Sequence, residues 1–219
     1  MTNRTTALIT RHGLSEHNLN VDTYMGRSPE SRLVDQGRDQ ARHLGERLAG
    51  YPRIDQVVCS SLPRTTETAT IIGRHIGIDE PQPEDGFWEL SKGEWEGKMS
   101  RNLAPDLAEA LRADPFGFRY PGGESFADVV KRVGPVFDRW VQTYTGQTVL
   151  FVLHGDVIRA LLHHMIQFPP EKIMDFVITP CSFSEFFLSD KRWTTVRYND
   201  TSHLSGELGQ WPPPDRPTN

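Results

Sequence analysis

Two kinds of apolar pattern alternate along this 219-residue chain. Short runs rich in β-branched residues at 7–10, 54–60 and 148–153 read as buried strands. Each is followed by polar or glycine-containing punctuation and then by a pattern of helical period. Residues 35–48 bring Ala41, Leu44 and Leu48 to one face, and 65–76 repeat this with Ala69, Ile72 and Ile76. Pro63 stands where a first helical turn tolerates proline. A longer amphipathic helix is expected over 125–144, with Pro135 as a kink point, and another over 156–166. Residues 182–188 and 194–198 predict two more strands, paired as a hairpin. Alternating strands and helices imply an α/β layer fold with a mostly parallel sheet. Residues 95–123 break the alternation and are expected to form a lid.

Length and composition narrow this picture. One domain over 1–205 is expected, followed by a proline-rich, disordered tail over 206–219. The chain is 37% hydrophobic and 24% charged, as in a soluble globular protein. Its formal net charge of −5, with no basic stripe, argues against a nucleic-acid partner. Cys59 and Cys181 are its two cysteines, and a reduced, cytoplasmic setting is the simpler reading. No window approaches the roughly 18 apolar residues of a membrane span, so no membrane partner is expected.

Candidate chemistry gathers at the strand ends. Ligands of such sheets bind at the carboxyl ends of the strands. Arg11 and His12 follow the first run, the segment 60–64 the second, and His154 and Gly155 the third. Two arginines and two histidines therefore meet at one sheet edge. Arg11 and Arg64 suit a phosphate clamp, because a guanidinium fork matches phosphate oxygens bidentately. Asn18 adds a neutral donor. Histidines beside arginines are biased toward the neutral form, which an attack on phosphorus requires. His154, entering a helix N-terminus, is placed to bind the equatorial oxygens. Glu89, in the apolar setting Phe87-Trp88-Glu89-Leu90, suits a proton donor. The side chains supply all the charge compensation, so neither a metal nor a cofactor is required.

Other features are set aside on spacing. Cys59 and Arg64 are separated by four residues, one short of the Cys-x5-Arg phosphate loop. Gly93 to Lys98 is one residue short of a nucleotide-binding loop. His163 and His164, about 100° apart on a helix, do not share an ion. A surface position is expected for them and for His17, His43, His75 and His203. Phe116, Phe118 and Tyr120 are expected as lid core or substrate wall. Arg101 and Arg119 are candidates for a second anionic group, with a solvated surface as the alternative.

The segment Arg11-His12-Gly13-x-Ser15-x-x-Asn18 resembles the signature of the histidine phosphatase superfamily, in its phosphoglycerate-mutase-like branch. The likeness continues through Ser60-Ser61-Leu62-Pro63-Arg64, Glu89-Leu90-x-x-Gly93-x-Trp95-Glu96-Gly97, Pro121-Gly122-Gly123-Glu124-Ser125 and His154-Gly155-x-Val157-Ile158-Arg159. It implies a three-layer α/β/α sandwich, with His12 as phospho-acceptor, Arg11, Arg64 and His154 as phosphate ligands, and Glu89 as proton donor. Ser15, Asn18 and Gly155 join the substrate-binding set on the same resemblance. Asp156 departs from the small residue many relatives carry there, and is a rival proton donor. Leu14 replaces a common acidic or polar residue.

The family's mutases carry a Glu-Arg-His-Tyr-Gly type stretch where this chain has Glu89-Leu90-Ser91-Lys92-Gly93, which favours hydrolysis over mutase-type phosphoryl transfer. A third alternative is a non-catalytic phospho-ligand binding module. The segment 118–125 is similar to fructose-2,6-bisphosphatases, but Phe126 replaces an expected tyrosine. The expected partner is a small phosphorylated metabolite, acted on by a monomer or homodimer.

Overall fold

A computed structural model describes residues 4–19, 23–99 and 104–209. The strand β1 (Thr5–Arg11) lies near the centre of a six-stranded sheet. Strands β2 (Gln56–Ser60), β3 (Gln82–Glu84) and β4 (Thr148–Leu153) give the parallel order β3-β2-β4-β1. The hairpin of β5 (Phe183–Ser189) and β6 (Arg192–Asp200) completes the sheet, with β5 antiparallel to β1.

Alternation along each strand sends side chains to two cores. Leu8, Val57, Cys59, Leu150 and Val152 face one layer, where Ala41, Leu44 and Leu48 of α2 (Asp35–Ala49) pack with Ala69 and Ile72 of α3 (Pro63–Ile76). Ala7, Ile9, Val58, Val149, Phe151 and Leu153 face the other. There they meet Val133 and Phe137 of α5 (Phe126–Thr143) and Val157, Ile158 and Leu161 of α6 (Gly155–Ile166). The expected α/β/α sandwich is the observed one.

Helix boundaries follow local chemistry. Pro63 occupies the first turn of α3, where a missing N–H costs nothing. Ser125 and Asp128 form a reciprocal capping box at the start of α5. That helix carries Pro135 and spans the predicted range without a break in its assignment.

Three expectations are revised. Strand β3 was not anticipated, because Gln82-Pro83-Glu84 is short, polar and partly exposed at the sheet edge. The segment 95–123, which contains the short helix α4 (Pro105–Ala113), is only partly a lid, since Trp95 and Tyr120 are buried and pack edge to face on each other and against Tyr24. Phe118 joins this cluster and Phe116 packs against the same core, so these aromatics are core rather than wall. The tail does not begin at 206: residues Gly206–Gly209 form a 3-10 turn, and the Leu208 carbonyl accepts from Gln40 Nε2 at 2.9 Å. Residues 210–219 and Arg101 lie outside the described residues. Among the described residues, no helix is long and apolar enough to cross a membrane.

Candidate active site

The segment leaving β1 is fixed from three directions. His12 N–H donates to the Leu153 carbonyl, continuing the pairing with β4. Gly13 N–H donates to Thr68 Oγ1 of α3, and Leu14 N–H to Gln40 Oε1 of α2. Ser15, in turn, donates from its amide and its hydroxyl to Asn18 Oδ1, both at 3.0 Å. The neighbouring helical turn, α1 (Glu16–Leu19), places Asn18 there.

His12 is buried, and its Nδ1 lies 2.7 Å from the Gly13 carbonyl. A carbonyl oxygen only accepts, so Nδ1 carries the hydrogen and the neutral ring keeps its lone pair on Nε2. His154, at the N-cap of α6, is fully buried and meets His12 edge to face with ring centroids 5.3 Å apart. Among the described residues, neither ring nitrogen of His154 has a hydrogen-bond partner. Burial holds both imidazoles well below the ordinary histidine pKa, and Arg64 and Arg11 push in the same direction.

Two arginines flank this pair. Arg64 is buried at the start of α3. Its guanidinium donates to the carbonyls of Gly26, Arg27 and Ser28 at 3.2, 2.9 and 3.2 Å. Sequence reasoning did not find this loop, whose residues carry no chemical signature of their own. Arg11 donates to the Ile178 carbonyl at 2.7 Å, and burial, aided by Arg159, lowers its pKa to about 10. It stays charged at neutral pH.

Two carboxyls close the other side. Glu89 Oε1 accepts from Leu90 N–H at 2.9 Å, and Oε2 faces Asp156 N–H at 3.4 Å. Burial raises the Glu89 pKa, and the Asp156 charge adds to the rise. Asp156 behaves oppositely: burial works against its charge, but Lys92 Nζ at 3.0 Å and Arg159 Nη1 at 2.9 Å hold it ionised. Asp156 is thus a carboxylate paired with two cations. Lys92, a second residue that sequence reasoning missed, is buried and also donates to Tyr120 Oη at 3.2 Å. A lysine in a loop reads as solvated unless its acidic partner, here far along the chain, is known.

The remaining histidines have structural partners. His164 Nε2 contacts Asp138, whereas His163 lies between the Phe116 and Phe168 rings, so the adjacent pair diverges. His43 pairs with Glu46. His17 and His203 are partly buried rather than superficial, and His203 Nε2 donates to the Cys181 carbonyl. His75 packs against the backbone of Gly45. Arg119 pairs with Asp128 on the surface, away from a second-anion role. Cys59 is buried in an apolar cluster that lifts its thiol pKa to about 12, far from that of a nucleophile. Among the described residues, no three His, Cys, Asp or Glu side chains gather as a metal cradle.

Residues 7–201 match the family model of the histidine phosphatase superfamily (branch 1). The chain belongs to that superfamily. This histidine phosphatase is 28% identical over 201 residues to phosphoglycerate mutase-like protein 4 of Arabidopsis thaliana, covering 90% of this chain and 86% of the relative. It is also 28% identical over 200 residues to phosphoserine phosphatase 1 of Hydrogenobacter thermophilus, covering 90% and 93%. Among solved structures, a mycobacterial glucosyl-3-phosphoglycerate phosphatase superposes with a TM-score of 0.80 at 25% identity, covering 90% of this histidine phosphatase and 99% of that chain.

Proposed function

We propose that this histidine phosphatase hydrolyses a small anionic phosphomonoester without a metal, through a phosphohistidine on His12. The chain is a phosphoric monoester hydrolase of its family. The observation that carries the finer reading is the Nδ1 contact of His12 to the Gly13 carbonyl, which leaves Nε2 as a free lone pair beside Arg64, Arg11 and His154. In the first step, Nε2 attacks phosphorus and the bond to the ester oxygen breaks, while Glu89 gives its proton to the leaving oxygen. In the second, the Glu89 carboxylate takes a proton from water as that water attacks the phosphohistidine, which releases phosphate and restores His12. Arg11 and Arg64 compensate the phosphoryl charge throughout. Ser15, Asn18 and Gly155 complete the proposed substrate-binding set: Asn18 Oδ1 accepts from Ser15, which leaves the Asn18 amide NH2 to donate. The site is expected to work in a cytoplasmic setting.

The names of the relatives put phosphoserine and glucosyl-3-phosphoglycerate first among substrates to try. The deciding experiment follows phosphate release and acid-labile labelling of the protein by a labelled phosphomonoester, with and without chelator. Turnover and one label per chain, both insensitive to chelator and absent in His12→Ala, are expected. Turnover by His12→Ala, or chelator-abolished activity, would overturn the reading. Phosphoryl isomerisation that needs a bisphosphate primer would make it a mutase.

A further inference from the structure

Glu89 and Asp156 are two partly buried carboxyls on facing segments, and the site treats them unequally. Asp156 lies in the first turn of α6, with Oδ2 3.0 Å from Lys92 Nζ and Oδ1 2.9 Å from Arg159 Nη1. Its own backbone N–H points at Glu89 Oε2. Lys92 Nζ is engaged in the pair and donates besides to Tyr120 Oη. Arg159 is likewise tied down, with Nε on the Phe176 carbonyl. The Glu89 carboxylate, by contrast, accepts from the backbone amides of Leu90 and Asp156.

We propose that Asp156, clamped between Lys92 and Arg159, is a positioning residue for Glu89 that assigns the one proton shared by these two carboxyls to Glu89. The proposal rests on the reading of Glu89 as proton donor. Two carboxylates in one desolvated site do not both ionise, and the one with cationic partners keeps the charge. The groups that face Glu89 are Asp156 from α6, Lys92 from its own loop, Arg64 from α3 and Arg11 from β1. The three cations act to ionise Glu89; burial and the fixed charge of Asp156 oppose them and prevail. Lys92 thus serves Glu89 indirectly, by anchoring the negative charge next to it.

The test compares the pH dependence of kcat/KM for an alkyl phosphate and for an activated aryl phosphate in wild type, Asp156→Asn and Lys92→Met/Asp156→Asn. The double variant removes both buried charges together, in case the single one leaves Lys92 stranded and unfolds. For the alkyl ester, the alkaline limb is expected to move to lower pH by about one unit in Asp156→Asn, roughly a tenfold loss on that limb, and by less in the double variant, which also removes a cation that favours ionised Glu89. The aryl ester, which needs no donor, is expected to show no such movement. An unmoved limb in both variants would overturn the proposal. So would a loss on the alkyl ester alone that is equal at every pH, because Asp156 would then be the donor itself. Glu89→Gln separates the two levels: if it leaves the alkyl-to-aryl ratio at the wild-type value, the donor reading fails first and this proposal falls with it.

Discussion

Gly13 and Gly37 meet backbone to backbone: a Cβ on Gly13 would lie 2.3 Å from the Gly37 carbonyl oxygen, and one on Gly37 would lie 2.0 Å from that of Leu14. The turn after His12 is therefore seated on the first turn of α2, and no side chain fits between them. Gly37→Ala is expected to destabilise the protein by about 1–3 kcal/mol through overpacking. Because the displaced backbone carries His12, turnover is expected to fall about a hundredfold, more than the stability loss alone explains. Thermal melting and kcat, measured on the same preparation, check this. Wild-type turnover in a destabilised protein would show that the contact matters only for folding.

Arg64 has two duties, since it faces the histidine pair and also holds the carbonyls of Gly26, Arg27 and Ser28. Arg64→Met is expected to cost about 2–4 kcal/mol, because buried carbonyls lose their donor. Arg64→Lys keeps the charge but loses the fork, and is still expected to lower kcat/KM by about a hundredfold. Urea midpoints and phosphate release report the two duties separately. Full activity in the lysine variant would remove the clamp argument.

Cys59 sits in the α2–α3 core, and its thiol pKa is pushed up to about 12 by burial. Cys59→Ser is expected to keep at least half of wild-type turnover while losing roughly 1–3 kcal/mol for an apolar site that now holds a hydroxyl. The native protein should also resist thiol alkylation. Abolished turnover in a folded Cys59→Ser protein would move the nucleophile away from His12.

Stability should fall as the medium becomes mildly acidic. His12 and His154 are held neutral well below the ordinary pKa, and burial lowers that of His203 to about 4. Between about pH 6.5 and these lower values the unfolded chain binds protons that the folded chain does not, so stability rises with pH across that window. Above about 6.5 both states carry neutral imidazoles and the contribution is flat. Asp200, held below the usual carboxylate range chiefly by Arg47, adds its own loss only under about pH 4. Urea midpoints from pH 7 to 4.5 should decline, and less steeply in His203→Gln. An unchanged slope in that variant would exclude His203 as a contributor.

What the chain disclosed in advance was set by local rules. The buried strands β1, β2 and β4 announce themselves by apolar runs rich in β-branched residues, and Arg11, His12, Arg64 and His154 by standing at or just beyond their ends. Strand β3 carried no such run, because an exposed three-residue edge needs none. The partnership of Lys92 with Asp156 stayed hidden for a different reason: ion pairs between distant segments have no periodicity, and each residue alone resembles ordinary surface. The carbonyl nest on Arg64 escaped likewise, since backbone atoms are common to every sequence.

The central place of β1 bears on how the protein is made. Its hydrogen-bonding edges are filled by β4 and β5, which lie far downstream. On a growing chain β1 cannot take its place in the sheet before β4 has been made, and His12 and His154 meet only after that point. A chain truncated before β4 is therefore expected to be inert toward phosphate esters.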